Sequence, residues 1–142
     1  MTLTQRLTRA GLAFLLFGSV VALLPGTDTA EASTTTCSID ANTLYRLTDN
    51  ASGTDNNNAT IAAIGGALPL YTFVSKNAGK TFSRDPLIPV QALLGHVTFS
   101  PASATDGSGQ VTATRTTAGT EYILATFSDT AGVKESDVFI IN

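Results

Sequence analysis

From Ala59 to the last residue, short apolar or alternating runs recur about every 10 to 15 residues with turn chemistry between them. No stretch sustains the period of an amphipathic helix. The last two runs are the clearest. Glu121–Phe127 (EYILATF) and Ser136–Ile141 (SDVFII) flank Asp129-Thr130-Ala131-Gly132, a hairpin loop whose glycine falls where a left-handed residue is needed. In the first run Tyr122, Leu124 and Thr126 share one face, and Ile123, Ala125 and Phe127 the other, so both faces are apolar enough for a central strand. Upstream lie Ala59–Ile64 (ATIAAI), closed by Gly65-Gly66, and Tyr71–Ser75 (YTFVS). The stretch from Pro86 to Leu94 predicts an edge strand or an extended connection, because Pro86 and Pro89 cannot donate to a ladder. His96–Ser100 (HVTFS) ends at Pro101, and Gln110–Thr116 (QVTATRT) follows the turn cluster Asp106-Gly107-Ser108-Gly109. About seven short antiparallel strands at this spacing predict an all-β sandwich over residues 59–142.

The chain begins differently. Arg6 and Arg9 precede an apolar run from Gly11 to Leu24 that ends at Pro25-Gly26. That run spans about 14 residues, roughly 21 Å as a helix, short of the ~30 Å hydrocarbon core. Ala30-Glu31-Ala32 places small residues where a signal peptidase accepts them, so residues 1–32 read as a signal peptide and the mature chain starts at Ser33. Lipidation of Cys37 is not expected, since Thr34-Thr35-Thr36 stand where a small residue is required. The expected product is secreted, extracellular or at a cell surface, with no membrane partner once the leader is removed. Residues 33–58 form a polar extension. In it Cys37, Ile39 and Ala41 alternate, Leu44 and Leu47 add apolar weight, and an Asn- and Asp-rich tail has the composition of a mobile loop. This segment is either the first strand of its own sandwich or a strand donated to a neighbour.

Composition removes several function classes. A chain of 142 residues buries an ordinary core and needs neither disulfides nor a structural metal to fold. With 8 basic against 11 acidic residues and no basic cluster beyond the first ten positions, nothing attracts nucleic acid. The single cysteine, Cys37, is an odd thiol in an exported chain, either free or paired between molecules. His96, the only histidine, stands just before a strand and far from Cys37, which predicts a sheet-edge residue and no nucleophile-activating base. Gly107-Ser108-Gly109 follows Asp106 and reads as a hairpin turn, not a nucleophile elbow. Asp106 with Ser108, or Asp49 and Asp55 with their asparagines, offer oxygen ligands but lack the spacing and terminal glutamate of a calcium loop. One histidine and one cysteine exclude a protein-only zinc site of the usual kind. The acids Asp85, Asp106, Asp129 and Asp137 fall mainly in turns and are expected to be solvated, so no carboxylate pair faces a cleft. No catalytic residue, metal or cofactor is expected, and Asn50-Ala51-Ser52 and Asn58-Ala59-Thr60 are read as chance matches to the glycosylation sequon.

Several of these segments resemble a known family. GGALPLYTFVSKN, HVTFSPASATDGSGQVTATRTTAGTEYILATFSDTAG and the closing VFIIN are similar to the bacterial immunoglobulin-like (Big) domains of invasin-type adhesins and other surface proteins. The resemblance runs from Ile61 to Asn142 and implies an immunoglobulin-like β-sandwich. Members of that family serve as spacers, adhesive tips and self-associating modules, so the fold alone carries no activity. Pro86 to Leu94 is longer and more apolar than the family's simple edge, and the domain stands alone where the family is usually strung in tandem. The expected function is a secreted, non-enzymatic structural or surface subunit. It self-associates as a homo-oligomer or polymer, by strand donation into an extracellular filament. The competing expectation is a small adhesion module recognising a glycan or a surface protein. A chain with no tryptophan and three tyrosines offers little ring surface for glycan stacking.

Overall fold

The computed structural model describes residues 36–142, so the leader and its cleavage point lie outside the described residues. The strands are β1 Thr36–Ser38, β2 Leu44–Thr48, β3 Asn58–Ala59, β4 Ala67–Ser75 and β5 Ser83–Arg84. They continue with β6 Val90–Ala92, β7 Val97–Ser100, β8 Gln110–Arg115, β9 Glu121–Ser128 and β10 Lys134–Ile141, and no helix forms among the described residues. Sheet one has the order β1-β2-β4-β8-β7 with β5 beside β4, and sheet two the order β3-β10-β9-β6. All pairings are antiparallel except β3 with β10. There are more segments than the seven or so expected. β3 and β5 are pairings of two residues each, and the polar extension supplies β1 and β2.

Strand parity sorts the side chains. β9 sends Ile123, Ala125 and Phe127 inward, β10 sends Phe139 and Ile141, and each is 0% exposed. Leu47, Leu70, Val111 and Ala113 of sheet one join them in one cluster. Two antiparallel sheets sharing a single core is the layering of a β-sandwich. Tyr45 of β2 stacks on Phe127 of β9 with ring centroids 4.6 Å apart, which ties the layers together.

Two segments depart from expectation, and a third takes one of its two expected places. Within ATIAAI only Ala59 pairs as strand, because Ile61 turns inward and the chain bends through Ala63 to Gly66 to enter β4. YTFVS proves to be the second half of the nine-residue β4, which passes through Pro69. Proline is tolerated there because β2 pairs only with Tyr71–Ser75, leaving β8 as the one strand beside Pro69. The polar extension folds back in cis, with β2 antiparallel to β4 and β1 outside β2.

The loop after β2 is held by hydrogen bonds where composition suggested a mobile tether. Thr48 Oγ1 donates to the Thr54 carbonyl at 2.7 Å, Asn56 Nδ2 to Asp49 Oδ1 at 2.7 Å and Arg46 Nη1 to the Gly53 carbonyl at 2.6 Å. Gly53, at φ +87°, lies so close over the Phe73 ring that a Cβ would come within 3.0 Å of it. The loop thereby covers an aromatic residue on the outer face of sheet one.

Candidate functional site

Chemistry in a sandwich of this kind depends on which ionisable groups are buried and what they face. Three charged residues are buried among the described residues: Arg115 at 3% exposure, Glu121 at 0% and Asp137 at 4%. Each is spent on the backbone. Arg115, at the end of β8, donates from Nε to the Ile61 carbonyl at 2.7 Å and from Nη1 to the carbonyls of Thr117 (2.6 Å) and Gly119 (2.7 Å). Glu121, opening β9, accepts from the amides of Leu94 at 2.8 Å, Tyr122 at 2.9 Å and His96. These two side chains pin the turns at one end of the sandwich, where backbone groups would otherwise be left unpaired.

Asp137 corrects the expectation that it is solvated. It shares the inward face of β10 with Phe139 and Ile141, accepts the Leu47 amide at Oδ2 (2.8 Å) and accepts its neighbour Val138 at Oδ1 (3.0 Å). Leu47 stands one residue past the stretch of β2 that β1 covers, so the carboxyl from sheet two closes the ladder of sheet one where β1 stops. Burial pushes Asp137 well above its usual 3.8 and Asp55 pushes the same way, against the two amides and Arg46. A carboxyl raised in the fold binds its proton more tightly there than in the unfolded chain. Its stabilising contribution is complete below 3.8 and disappears as pH rises through the folded value. Asp85 and Glu135, also raised by burial, act in the same direction. The melting temperature is therefore expected to gain from Asp137 as pH falls from neutrality towards 4, and Asp137→Asn to show a flatter dependence over that window. Melting curves across pH check this, and equal slopes would contradict it.

Cys37 sits on β1 directly opposite Tyr45, half-buried against the core. Burial first, then the nearby Asp137 and Glu135, push its thiol well above the usual 9.0. A thiol so placed yields little thiolate near neutral pH. His96 lies at the far side of sheet one, just before β7, with Nδ1 at 3.1 Å from the Thr120 carbonyl. Cys37 and His96 are at opposite edges of that sheet and make no pair.

The oxygen-rich turns are occupied with themselves. Asp106 Oδ1 accepts the Ser108 amide and hydroxyl and the Gln110 amide, an arrangement that lowers its pKa and completes a turn. Asp49 accepts Asn56, while Asp55 accepts the Thr36 hydroxyl and lies 4.0 Å from Arg46 Nε. No group of three or more His, Cys, Asp or Glu suited to a metal forms among the described residues. On the outer face of sheet one the Arg46 guanidinium covers the Phe82 ring at 3.9 Å and Arg84 covers Tyr71 at 4.3 Å. A surface depression beside β4 and β5 is lined by Val74, Lys76, Asn77, Thr81 and Ser83 and pairs no acid with a base.

The residues that sequence reasoning missed are Arg115 and Glu121, and it misplaced Asp137. The signal was present as parity. Each charged residue continues an inward-facing set, Val111-Ala113-Arg115, Glu121-Ile123-Ala125-Phe127 and Asp137-Phe139-Ile141. What the edges of sheet one offer a partner is backbone. β1 and β7 each have a strand on one side only among the described residues, and they bound sheet one at its two ends. Compared with protein-family models, curated proteins and solved structures, the chain finds no match among any of the three.

Proposed function

We propose that this chain is a secreted, non-enzymatic structural subunit that associates with copies of itself through the edges of sheet one. The observation that carries the reading is the pair of uncovered strands, β1 and β7, at the two ends of one sheet. An uncovered strand presents unpaired N–H and C=O groups and accepts another strand readily. β1 of one copy laid beside β7 of the next joins two different surfaces, and such a contact extends into a filament when its rotation does not close. Strand donation is the stronger form of the same contact, in which β1 and β2 leave their own β4 for that of a neighbour.

The strand order supports an immunoglobulin-like topology related to the Big domains. β4, β8 and β7 form one sheet, β6, β9 and β10 the other, and the N-terminal segment pairs first antiparallel with β4 and then parallel with β10. Catalysis has no support, because the buried charged side chains are engaged with backbone groups. A glycan-binding role is weakened by the guanidinium groups that already cover Tyr71 and Phe82.

The test compares the mature chain from Ser33 with one that starts at Ile39 and so lacks β1. Light scattering is expected to show open-ended, concentration-dependent growth for the first and the loss of that open-ended growth in the second, with both folded. Cys37→Ser in the longer chain separates the strand from its thiol and is expected to assemble normally. Equal growth with and without β1 would remove this edge from the contact. Monomers throughout would hand the function to the binding module.

A further inference from the structure

The outer face of sheet two carries a block of apolar side chains that the core does not use. On β9, Tyr122 and Leu124 point away from the buried Ile123, Ala125 and Phe127, and on β10 Val138 and Ile140 point away from Phe139 and Ile141. Tyr122 is registered opposite Ile140, and Leu124 opposite Val138, so the four make a two-by-two patch. All four are partly exposed, and none belongs to the core cluster or packs against it. Thr126 and Ser136 continue the patch at one end, and Gln91 of β6 flanks Leu124. Beside Tyr122, whose carbonyl accepts the Leu93 amide, Leu93 adds an apolar side chain 48% exposed.

The charge pattern favours a second copy as the occupant. The whole chain has a net charge of -3, yet among the strand residues that point outward from β9 and β10 only Lys134, at the far end, is charged. Two copies brought face to face with their strands antiparallel keep the two Lys134 side chains at opposite ends, whereas the outer face of sheet one carries Arg46 and Arg84. A flat twisted sheet is also best matched by another of the same twist, packed about 10 Å away. We infer that the outer face of sheet two, centred on Leu124 and Val138, is a self-complementary contact that joins two copies of this chain back to back.

The inference deepens the self-association proposed above by giving it a second surface, separate from the strand edges. Eight-residue strands run about 27 Å and three strands span about 14 Å, so the face is on the order of 400 Å² in projection. That is smaller than the ~800 Å² per partner of a standard interface, which makes the contact a weak one. In a filament built through β1 and β7 it pairs protofilaments side by side. On its own it gives a reversible dimer that populates only at high concentration.

Sedimentation velocity on the mature chain from Ser33, from about 20 µM to about 1 mM, covers the range in which a contact of this size populates. Starting at Ser33 removes the apolar leader as a competing occupant. The expected result is association that grows with concentration, in which the back-to-back step, seen as a dimer ahead of any larger species, weakens at least about tenfold in Leu124→Glu. Lys80→Glu, in the exposed loop between β4 and β5 and away from both edges and from sheet two, is expected to dimerise normally. Circular dichroism establishes that each variant is folded, and Val138→Lys serves in place of Leu124→Glu if the latter is not. Association unchanged in Leu124→Glu and in Val138→Lys would overturn this contact while leaving self-association through the edges standing. A mature chain that stays monomeric up to about 1 mM would overturn both.

Discussion

A chain that begins at Asn58 is expected not to fold on its own. The segment removed looks dispensable by composition, but Leu47 is 0% exposed and Tyr45 4%, and the tyrosine stacks on Phe127 in the middle of the core. Truncating a buried leucine to alanine costs about 2–5 kcal/mol and a large aromatic about 3–5 kcal/mol. Losing the Leu47 amide also strips Asp137 of a hydrogen-bond partner inside the protein, at about 1–3 kcal/mol. Against a typical total of about 5–15 kcal/mol these losses leave little or nothing. Far-UV circular dichroism and melting check the outcome. A cooperative melt within a few degrees of the mature chain's would show that β2 is an accessory strand. The same dependence makes exchange testable, since a peptide spanning residues 36–48 is expected to restore the fold of the truncated chain when added in excess.

The second large effect belongs to Glu121. Its carboxylate, fully buried, accepts three backbone amides from two segments and so fixes the connection between β6 and β7. Glu121→Ala leaves those donors without partners, and with about 1–3 kcal/mol for each buried unsatisfied group the variant is expected to lose on the order of 3–5 kcal/mol. Glu121→Gln recovers only part of this, because one oxygen is replaced by an NH2 that faces amide donors. Lys134→Ala, at the exposed start of β10, is expected to change stability by no more than about 0.5 kcal/mol. Urea denaturation of the three variants separates them. A loss below about 1 kcal/mol in Glu121→Ala would mean that water or a rearranged loop satisfies the amides.

The sheet architecture was legible wherever alternation was long enough to set a face. EYILATF and SDVFII place β9 and β10 correctly, and the loop between them closes at Gly132 with φ +86° as its glycine suggested. ATIAAI misled because its apolar residues reflect one buried side chain, Ile61, ahead of a turn, and apolar content without alternation does not distinguish the two. The polar extension was harder to place. Leu47 and Tyr45 are separated by Arg46 in the alternation of a half-buried strand, but the partner that fixes them, β4, is distant in sequence. The three buried charged residues were hidden by a residue-type prior, since charged side chains are rarely fully buried. Parity outweighs that prior when a charge ends an inward-facing set and turn amides or carbonyls lie within its reach. The apolar outer face of sheet two was visible in the same parity, as the second apolar face of EYILATF.

Electron microscopy of the concentrated mature chain, starting at Ser33, tests the proposed role most directly. Filaments that repeat one subunit along sheet one, paired side by side, are expected, and they are expected to be absent from the chain that lacks β1. A field with no ordered assemblies, together with a monomeric mass at the same concentration, would contradict it.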